Sequence, residues 1–217
     1  MRKWRAVLLL GPTGAGKSPL GDRLEKNGLW GRLCAHFDFG ANLRAAEKAF
    51  GPTGAGAPPG SGLTAADLAV IRISLATGAL LENENFPIAA NILGRFAAVR
   101  RLTTDDLLIL NGLPRHAGQA RDLEHDVDMV AVISLECSAD VIRERIRRDT
   151  GGDRTGRPDD APGDVENKLR IYAARTLPLL EFYRERGVPV VAIPVAVKTQ
   201  SQEIIGFLAE NRAGVKG

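Results

Sequence analysis

The chain has 217 residues, of which 44% are hydrophobic and 25% charged, a balance typical of a soluble globular protein with one substantial core. Its formal net charge of +3 is a small excess, and no run of Lys and Arg is interleaved with aromatic residues, which argues against nucleic-acid binding. No segment approaches the ~18 apolar residues of a membrane span. We therefore expect one cytoplasmic domain without nucleic-acid or membrane partners.

Short apolar runs alternate with helix-like segments along the chain. The apolar runs predict strands at 4–10, 33–38, 107–111, 129–135 and 188–194. The helix-like segments lie at 17–26, 41–50, 64–77, 86–99, 117–125, 138–148, 164–186 and 200–211. Alternating strands and helices are typical of right-handed parallel crossovers, and near-continuously apolar strands are typical of a sheet covered on both faces. The sequence predicts a three-layer α/β/α fold with a roughly five-stranded parallel sheet.

A glycine-rich loop directly follows the first strand. Residues 11–18 read GPTGAGKS and lead into the predicted helix at 17–26. In this setting glycines let the backbone wrap around phosphate groups, successive N–H groups point inward, and the helix presents its positive N-terminal end. Lys17 would reach the terminal phosphates and Ser18 would bind Mg2+. We predict a phosphate-binding loop of the P-loop NTPase type.

The chain repeats part of this loop without the residues that carry its chemistry. Residues 51–56 read GPTGAG but continue with Ala57 and Pro58, and no apolar strand precedes them. We expect 51–62 to be a flexible insertion. The stretch 149–163 also mixes Gly, Pro and charges, and arginines on or beside it would suit closure over a triphosphate. These arginines are Arg147, Arg148, Arg154 and Arg157.

Three segments are predicted to meet at one edge of the sheet. In an open parallel sheet, ligands bind at the carboxyl ends of the strands. The loop at 11–18, Asp38 and the segment 111–115 all follow predicted strands at that edge. The sequence therefore predicts a single cleft there.

Cysteines and histidines are expected to be structural. Cys34 and Cys137 lie in or beside predicted buried strands, and their spacing does not match a zinc site, so we expect reduced core thiols. His36, His116 and His125 are expected to be structural or surface groups, although His116 lies beside the predicted cleft.

Two segments beyond the phosphate loop carry a more specific signal. Residues 110–115 read LNGLPR and are followed by Gln119, while residues 40–46 read GANLRAA. These resemble the DGFPR segment, with its downstream glutamine, and the GDMLRAA helix start of the adenylate kinase family of nucleoside monophosphate kinases. Residues 156–160, GRPDD, resemble that family's lid signature G-R-x-D-D. The likeness runs over almost all of the chain.

The resemblance implies two substrate sites and a lid. An acceptor-binding subregion would lie at 36–99 and a short lid, without room for a zinc-bearing insert, at 149–163. The implied acceptor site consists of Phe39, Gly40, Arg44, Leu81, Gly112, Arg115 and Gln119, with the arginines on the phosphate and Gln119 on the base. The implied ATP site consists of Gly11, Gly14, Ala15, Gly16, Lys17, Ser18 and Pro19, with Mg2+ at Ser18 and Asn111.

The implied catalytic residues are cations. Phosphoryl transfer needs donor and acceptor in line and positive charge around the transferring group, and arginine binds phosphate oxygens bidentately. By the resemblance, Arg157 would close from the lid on the transferring group. The implied catalytic set is Lys17, Arg115, Arg148, Arg157 and Lys168.

Several positions depart from the family's pattern. Pro19 stands where relatives donate a backbone N–H to the α-phosphate, and proline has no such donor. Asn111 replaces an aspartate that supports the Mg2+ water shell, so we expect Asn111→Asp to tighten metal use and raise activity. Lys168 stands where a second catalytic arginine is usual, and Asp149 where another lid arginine is. Phe39 would offer ring stacking to the acceptor base where relatives have a small hydroxyl residue.

The favoured function is Mg2+-dependent transfer of the γ-phosphoryl group of ATP to a nucleoside monophosphate, with AMP as the first choice of acceptor, by a monomer. Two alternatives stay open at this point. Phe39 and the insertion at 51–62 are compatible with a P-loop kinase for another small acceptor. A nucleotide-binding regulatory module with little turnover is compatible with the departures at Pro19, Asn111, Asp149 and Lys168.

Overall fold

The computed structural model describes residues 3–50, 62–153 and 162–211. Its strands form one all-parallel sheet in the order β2-β3-β1-β4-β5. They are β1 (Trp4–Leu10), β2 (Cys34–Asp38), β3 (Leu107–Asn111), β4 (Val127–Glu136) and β5 (Val190–Pro194). The predicted five-stranded sheet is confirmed, with β4 slightly longer and β5 slightly shorter than the apolar runs suggest. Every residue of β3 is buried, as expected of a strand covered on both faces.

Helices connect the strands and cover both faces of the sheet. They are α1 (Lys17–Asn27), α2 (Phe39–Phe50), α3 (Ala65–Thr77), α4 (Phe86–Arg100), α5 (Ala117–Leu123), α6 (Ala139–Arg147), α7 (Pro162–Ile171), α8 (Leu179–Arg184) and α9 (Ser201–Glu210). The Ser138 hydroxyl accepts a hydrogen bond from the Val141 amide at 3.3 Å and caps α6. Within the described ranges, no helix is long and apolar enough to cross a membrane.

The continuous helix predicted at 164–186 is wrong. After α7 the backbone makes a π-helical turn at Tyr172–Thr176, in which the Leu177 amide donates to the Tyr172 carbonyl at 2.8 Å. Pro178 follows, and because proline has no N–H and its ring clashes with the preceding turn, the regular α-helical bonding cannot continue. Helix α8 then starts at Leu179.

Alternate residues of the strands point into two separate cores. On β1, Ala6, Leu8 and Leu10 pack into a cluster with side chains of α2, α3, α4, α5 and α8. Val7 and Leu9 pack on the other face with side chains of α1 and α9. The predicted three-layer α/β/α architecture is therefore confirmed.

The thiols are free, as expected. Cys34 is buried, and desolvation raises its pKa to about 12, so it stays protonated near neutral pH. Cys137 is partly buried, and desolvation likewise raises its pKa.

Candidate active site

The loop between β1 and α1 is shaped by its glycines. Gly14 and Gly16 have φ angles of 79° and 98°, in the left-handed region that side chains disfavour. A Cβ atom on Gly14 would also lie 3.0 Å from Cγ1 of Ile146, which packs against the loop from α6. The loop therefore wraps tightly and ends at the N-terminus of α1, the arrangement that binds phosphate in P-loop proteins.

Lys17 closes over this loop from the first residue of α1. Its ammonium donates to the carbonyl oxygens of Gly11 and Pro12 at 2.7 and 2.8 Å. The side chain lines a cleft at the carboxyl edge of the sheet. A lysine at this position of a glycine-rich loop is the group expected to bind terminal phosphates.

Arg145 anchors the loop from outside the cleft. This arginine of α6 is only 5% exposed. Its Nε donates to the Gly14 carbonyl at 3.0 Å, and its Nη1 donates to the carbonyls of Ala196 and Thr199 at 2.7 and 2.9 Å. It thereby joins the phosphate loop to the connection between β5 and α9. Its contact with the loop is not predicted from the sequence, where the signal is a charged residue three positions after buried Ile142, on the apolar face of the helix.

Ser18, Asp38 and Asn111 form one hydrogen-bonded group on the floor of the cleft. The Ser18 hydroxyl donates to Oδ2 of Asp38 at 2.7 Å. Nδ2 of Asn111 donates to the same Oδ2 at 2.9 Å and to the Ser18 Oγ at 3.1 Å. The three residues come from the start of α1 and from the ends of the adjacent strands β2 and β3, where Asp38 and Asn111 are register partners.

Asp38 is held in its charged form. Burial acts to raise the pKa of Asp38, but hydrogen bonds from the Ala41 amide and the Ser18 hydroxyl, with nearby positive charges, outweigh it and keep that pKa below its usual value. The sequence predicts that Asp38 lies at the cleft, whereas the metal site implied by the resemblance consists of Ser18 and Asn111. Asn111, assigned to the metal site from the sequence, directs its Nδ2 at Asp38 and Ser18.

This group fits a magnesium site of the kind completed by substrate. Mg2+ prefers oxygen ligands and is commonly held by one or two carboxylates together with substrate phosphates and water. Ser18 and Asp38 supply a hydroxyl and a carboxylate beside the phosphate loop. The described parts of the chain contain no cluster of three or more His, Cys, Asp or Glu that would form an all-protein metal cage.

Arg115 lies on the opposite wall of the cleft with its backbone fixed. Its amide donates to Oε1 of Gln119, and its carbonyl accepts from the Thr176 hydroxyl, both at 2.8 Å. Burial lowers the pKa of its guanidinium, which lines the cleft and has no hydrogen bond or ion pair with any described residue. A partly buried arginine without a protein anion is suited to bind a ligand's anion.

Arg44 is a second cation of this wall. It is exposed on α2, lines the cleft, and likewise has no ion pair within the described ranges. Gly40 and Gly112 line the same wall, so the residues assigned to the acceptor phosphate do come together.

The residues assigned to the acceptor base are more enclosed than the sequence suggests. Gln119 is 1% exposed, and its Nε2 donates to the Leu81 carbonyl at 2.8 Å. The His116 Nε2 lies 3.0 Å from the same carbonyl, while His116 Nδ1 accepts from the Gln119 amide and caps α5. Phe39 packs against Phe37 in the core while lining the cleft. Gln119 and His116 thus brace the wall from within, which makes His116 structural, as predicted.

The structure describes only some of the residues that were assigned to the lid side of the cleft. Arg154 and Arg157 lie outside the described residues. Lys168 on α7 lines the cleft. Arg148 instead is exposed, pairs with Glu144 of its own helix, and does not line the cleft. Most of the predicted insertion at 51–62 also lies outside the described residues.

Pro19 lines a second cavity next to the phosphate loop, together with Arg145 and Gln200. It is the third residue of α1, a position whose N–H has no acceptor within the helix, so proline does not break the helix there. The fold thus tolerates the missing N–H, and its absence matters only to a ligand.

Known proteins align with most of the chain, although a scan against protein-family models finds no match. The adenylate kinase of Xanthomonas campestris pv. campestris (strain 8004) is 31% identical over 189 residues, which cover 83% of this chain and 86% of the relative. The chain belongs to the adenylate kinase family. The resemblance identified from the phosphate loop and the LNGLPR and GANLRAA segments is thus confirmed.

Other members of the adenylate kinase family align similarly. The adenylate kinase of Xylella fastidiosa (strain M23) is 29% identical over 192 residues, covering 84% of this chain and 87% of the relative. That of Bifidobacterium longum (strain NCC 2705) is 36% identical over a shorter stretch of 88 residues. The parallel sheet and phosphate loop described above are the P-loop NTPase fold expected of this family.

Proposed function

We propose that the protein transfers the γ-phosphoryl group of ATP to AMP, forming two molecules of ADP. The observation that best supports this is a single cleft with a donor side and an acceptor side. The phosphate loop with Lys17 forms one wall, and Arg44 and Arg115, which form no ion pair with any described residue, line the other. The names of the aligned relatives support the same reaction.

On the donor side, the loop amides and Lys17 would hold the β- and γ-phosphates of ATP. Lys17 would leave the Gly11 and Pro12 carbonyls and donate to phosphate oxygens, an exchange that replaces dipoles with full negative charges. Ser18 and Asp38 would hold Mg2+, which supplies positive charge against the phosphates. Arg145 would keep the loop in place without touching the nucleotide phosphates.

On the acceptor side, Arg115 and Arg44 would orient the monophosphate. One of its oxygens forms a bond to the γ-phosphorus as the bond from that phosphorus to the β–γ bridging oxygen breaks, and the electron pair stays on the departing ADP. The attacking phosphate is already ionised near neutral pH, so no histidine base is needed. The chain contributes chiefly alignment and cations.

The remaining cations would act from the lid side. We assign 149–163 as the lid and 36–99 as the acceptor-binding subregion. Lys168 already lines the cleft, and Arg148 and Arg157 would join it when the lid closes over bound substrates, excluding water from the reacting phosphates.

A panel of acceptors tests the proposal directly. Purified protein is incubated with ATP and Mg2+ and with AMP, GMP, CMP, UMP or dTMP, and formation of each diphosphate is measured. We expect ADP formation that depends on AMP. Lys17→Ala should abolish it, whereas Lys48→Ala, an exposed lysine in the last turn of α2, should leave it intact. ATP binding without turnover on any acceptor would contradict the proposal and favour a regulatory module or another acceptor.

A further inference from the structure

We propose that Asp38 supplies the carboxylate of the magnesium site, a role that the family pattern gives to the position of Asn111. The inference rests on the proposed function only in requiring that the cleft binds ATP with a divalent cation. The site would then have one carboxylate, as the family pattern has, but on β2 and not on β3.

The sheet register makes such an exchange possible. Asp38 and Asn111 end adjacent parallel strands and are paired in register, so side chains at these two positions reach the same point beyond the sheet edge. That point is the Ser18 hydroxyl, which contacts both: Oδ2 of Asp38 lies 2.7 Å from it and Nδ2 of Asn111 lies 3.1 Å from it. A carboxylate on either strand would therefore lie beside the hydroxyl of the phosphate loop.

The chemistry of the pair explains why one member is an acid and the other an amide. Asn111 is 5% exposed and donates to the Asp38 carboxylate at 2.9 Å. A carboxylate cannot donate this bond, and two ionised carboxylates at this distance would repel each other. Asn111 is thus a positioning residue that holds Asp38 toward Ser18. The neutral amide of Asn111 therefore complements the carboxylate of Asp38, and the pair together still holds one negative charge.

The two carboxylate oxygens of Asp38 have different hydrogen-bond partners. Oδ1 accepts from the Ala41 amide at 2.9 Å and caps the start of α2, whereas Oδ2 faces Ser18 and Asn111. Asparagine caps helices about as well as aspartate. Asp38→Asn therefore keeps a capping oxygen and removes the charge, which separates a metal-site role from a structural one.

The test compares the wild type with Asp38→Asn and with the exchanged variant Asp38→Asn/Asn111→Asp. Mn2+ binding is titrated by electron paramagnetic resonance in the presence of saturating ATP and without acceptor, and thermal unfolding is followed separately in EDTA. We expect Asp38→Asn to weaken Mn2+ binding by about 10- to 100-fold, with an unfolding midpoint in EDTA close to that of the wild type. The exchanged variant, which has the same atoms with the charge on β3, should recover affinity to within about threefold of the wild type.

Asp106→Asn is the matched control. Asp106 precedes β3 and its Oδ2 accepts hydrogen bonds from the Thr103 amide and hydroxyl, but it lies at the opposite end of that strand from Asn111. Its loss should leave Mn2+ binding unchanged.

Two results would overturn the proposal: unchanged Mn2+ affinity in Asp38→Asn, or an exchanged variant that folds but binds Mn2+ at least tenfold more weakly than the wild type. If Asp38→Asn does not fold, the exchanged variant alone decides. Because no acceptor is present, the result stands even if AMP is not the acceptor.

Discussion

Nε of Arg145 lies 3.0 Å from the carbonyl oxygen of Gly14, so a buried arginine outside the cleft fixes the loop that forms its donor wall. Removing this side chain by Arg145→Ala would leave carbonyls on two loops without their charged donor. Hydrogen bonds to charged groups contribute about 1.5–3 kcal/mol each, and we expect a loss of about 3 kcal/mol in the free energy of unfolding, measured in urea. ATP affinity should fall as well, because the loop loses its support.

Arg143→Ala is the control for this prediction. Arg143 lies on the same helix, but it is exposed and pairs with Asp140 and Glu166 at the surface. Exposed ion pairs contribute little to stability, because solvent screens them, so this variant should unfold close to the wild type. Equal destabilisation by the two variants would show that the carbonyl contacts of Arg145 do not support the loop.

Replacing glycine with alanine is expected to change the free energy of unfolding in opposite directions at two helical positions. A Cβ atom on Gly21 of α1 would lie 2.2 Å from Nε2 of His36, whose ring is buried and held by Asp22 at 2.8 Å. The ring cannot easily move, so Gly21→Ala should cost about 2–3 kcal/mol through overpacking. Gly94 of α4 faces open space, and Gly94→Ala should stabilise by about 0.5–1 kcal/mol. Unfolding in urea of the two variants measures both effects. A stabilised Gly21→Ala protein would contradict the packing of His36 against α1.

The features that are well predicted from the sequence are those that depend on neighbouring residues. The phosphate loop is one contiguous motif between an apolar strand and a helix, and the five strands are short apolar runs, so both follow from neighbouring residues. The π-helical turn at Tyr172–Thr176 was missed because the pattern there is helical on both sides of Pro178. Pro178 indicates a break in regular helix, and the prediction of one helix at 164–186 did not take it into account.

What the sequence did not predict depends on contacts between distant segments. Asp38 and Asn111 are 73 positions apart, and their contact requires that β2 and β3 be neighbours in a particular register. Arg145 contacts a loop 131 positions away. The end of a predicted strand locates Asp38 at the cleft, but its pairing with Asn111 and the contact of Arg145 with the loop depend on the sheet order, so these roles could not be derived from spacing alone.

The contact between Asp38 and Asn111 reverses the expectation for Asn111→Asp. From the sequence this change should tighten metal use and raise activity, but in the structure it places a second carboxylate against Oδ2 of Asp38. In EDTA at pH 7–8 the variant should be less stable than the wild type. One carboxyl of the pair would then have a raised pKa in the folded state, so stability should be regained as the pH falls through that value. Urea unfolding at pH 5 and pH 8 checks this; a variant as stable as the wild type at pH 8 would contradict it. The exchanged variant Asp38→Asn/Asn111→Asp has one carboxylate at this point and should not show this loss of stability at pH 8.

Gln119 is predicted to act by bracing the acceptor wall. Its amide joins the Arg115 backbone to the Leu81 carbonyl, and it is almost fully buried. Gln119→Ala should therefore lower the free energy of unfolding by about 2 kcal/mol and raise the KM for AMP, since both depend on the same contacts. Gln202→Ala removes an exposed glutamine of α9 that accepts from Arg23 of α1, and these helices pack on the other face of the sheet from α5. It should change neither quantity. A raised KM with unchanged stability would instead indicate that Gln119 contacts the base directly.

Arg115 is predicted to contribute chiefly to acceptor binding. Its backbone is fixed by Gln119 and Thr176 and its guanidinium faces the cleft, so Arg115→Ala should remove a phosphate contact without moving the wall. Losing charged hydrogen bonds of about 1.5–3 kcal/mol corresponds to a rise of about 10- to 100-fold in the KM for AMP, with a lower kcat. The KM for ATP should change little, because the phosphate loop lies on the other wall. Arg121→Ala removes an arginine of α5, the helix that follows Arg115, whose guanidinium lies over the Phe182 ring, and serves as the control. Steady-state kinetics with each substrate varied in turn would decide, and a selective rise in the KM for ATP would place Arg115 on the donor side instead.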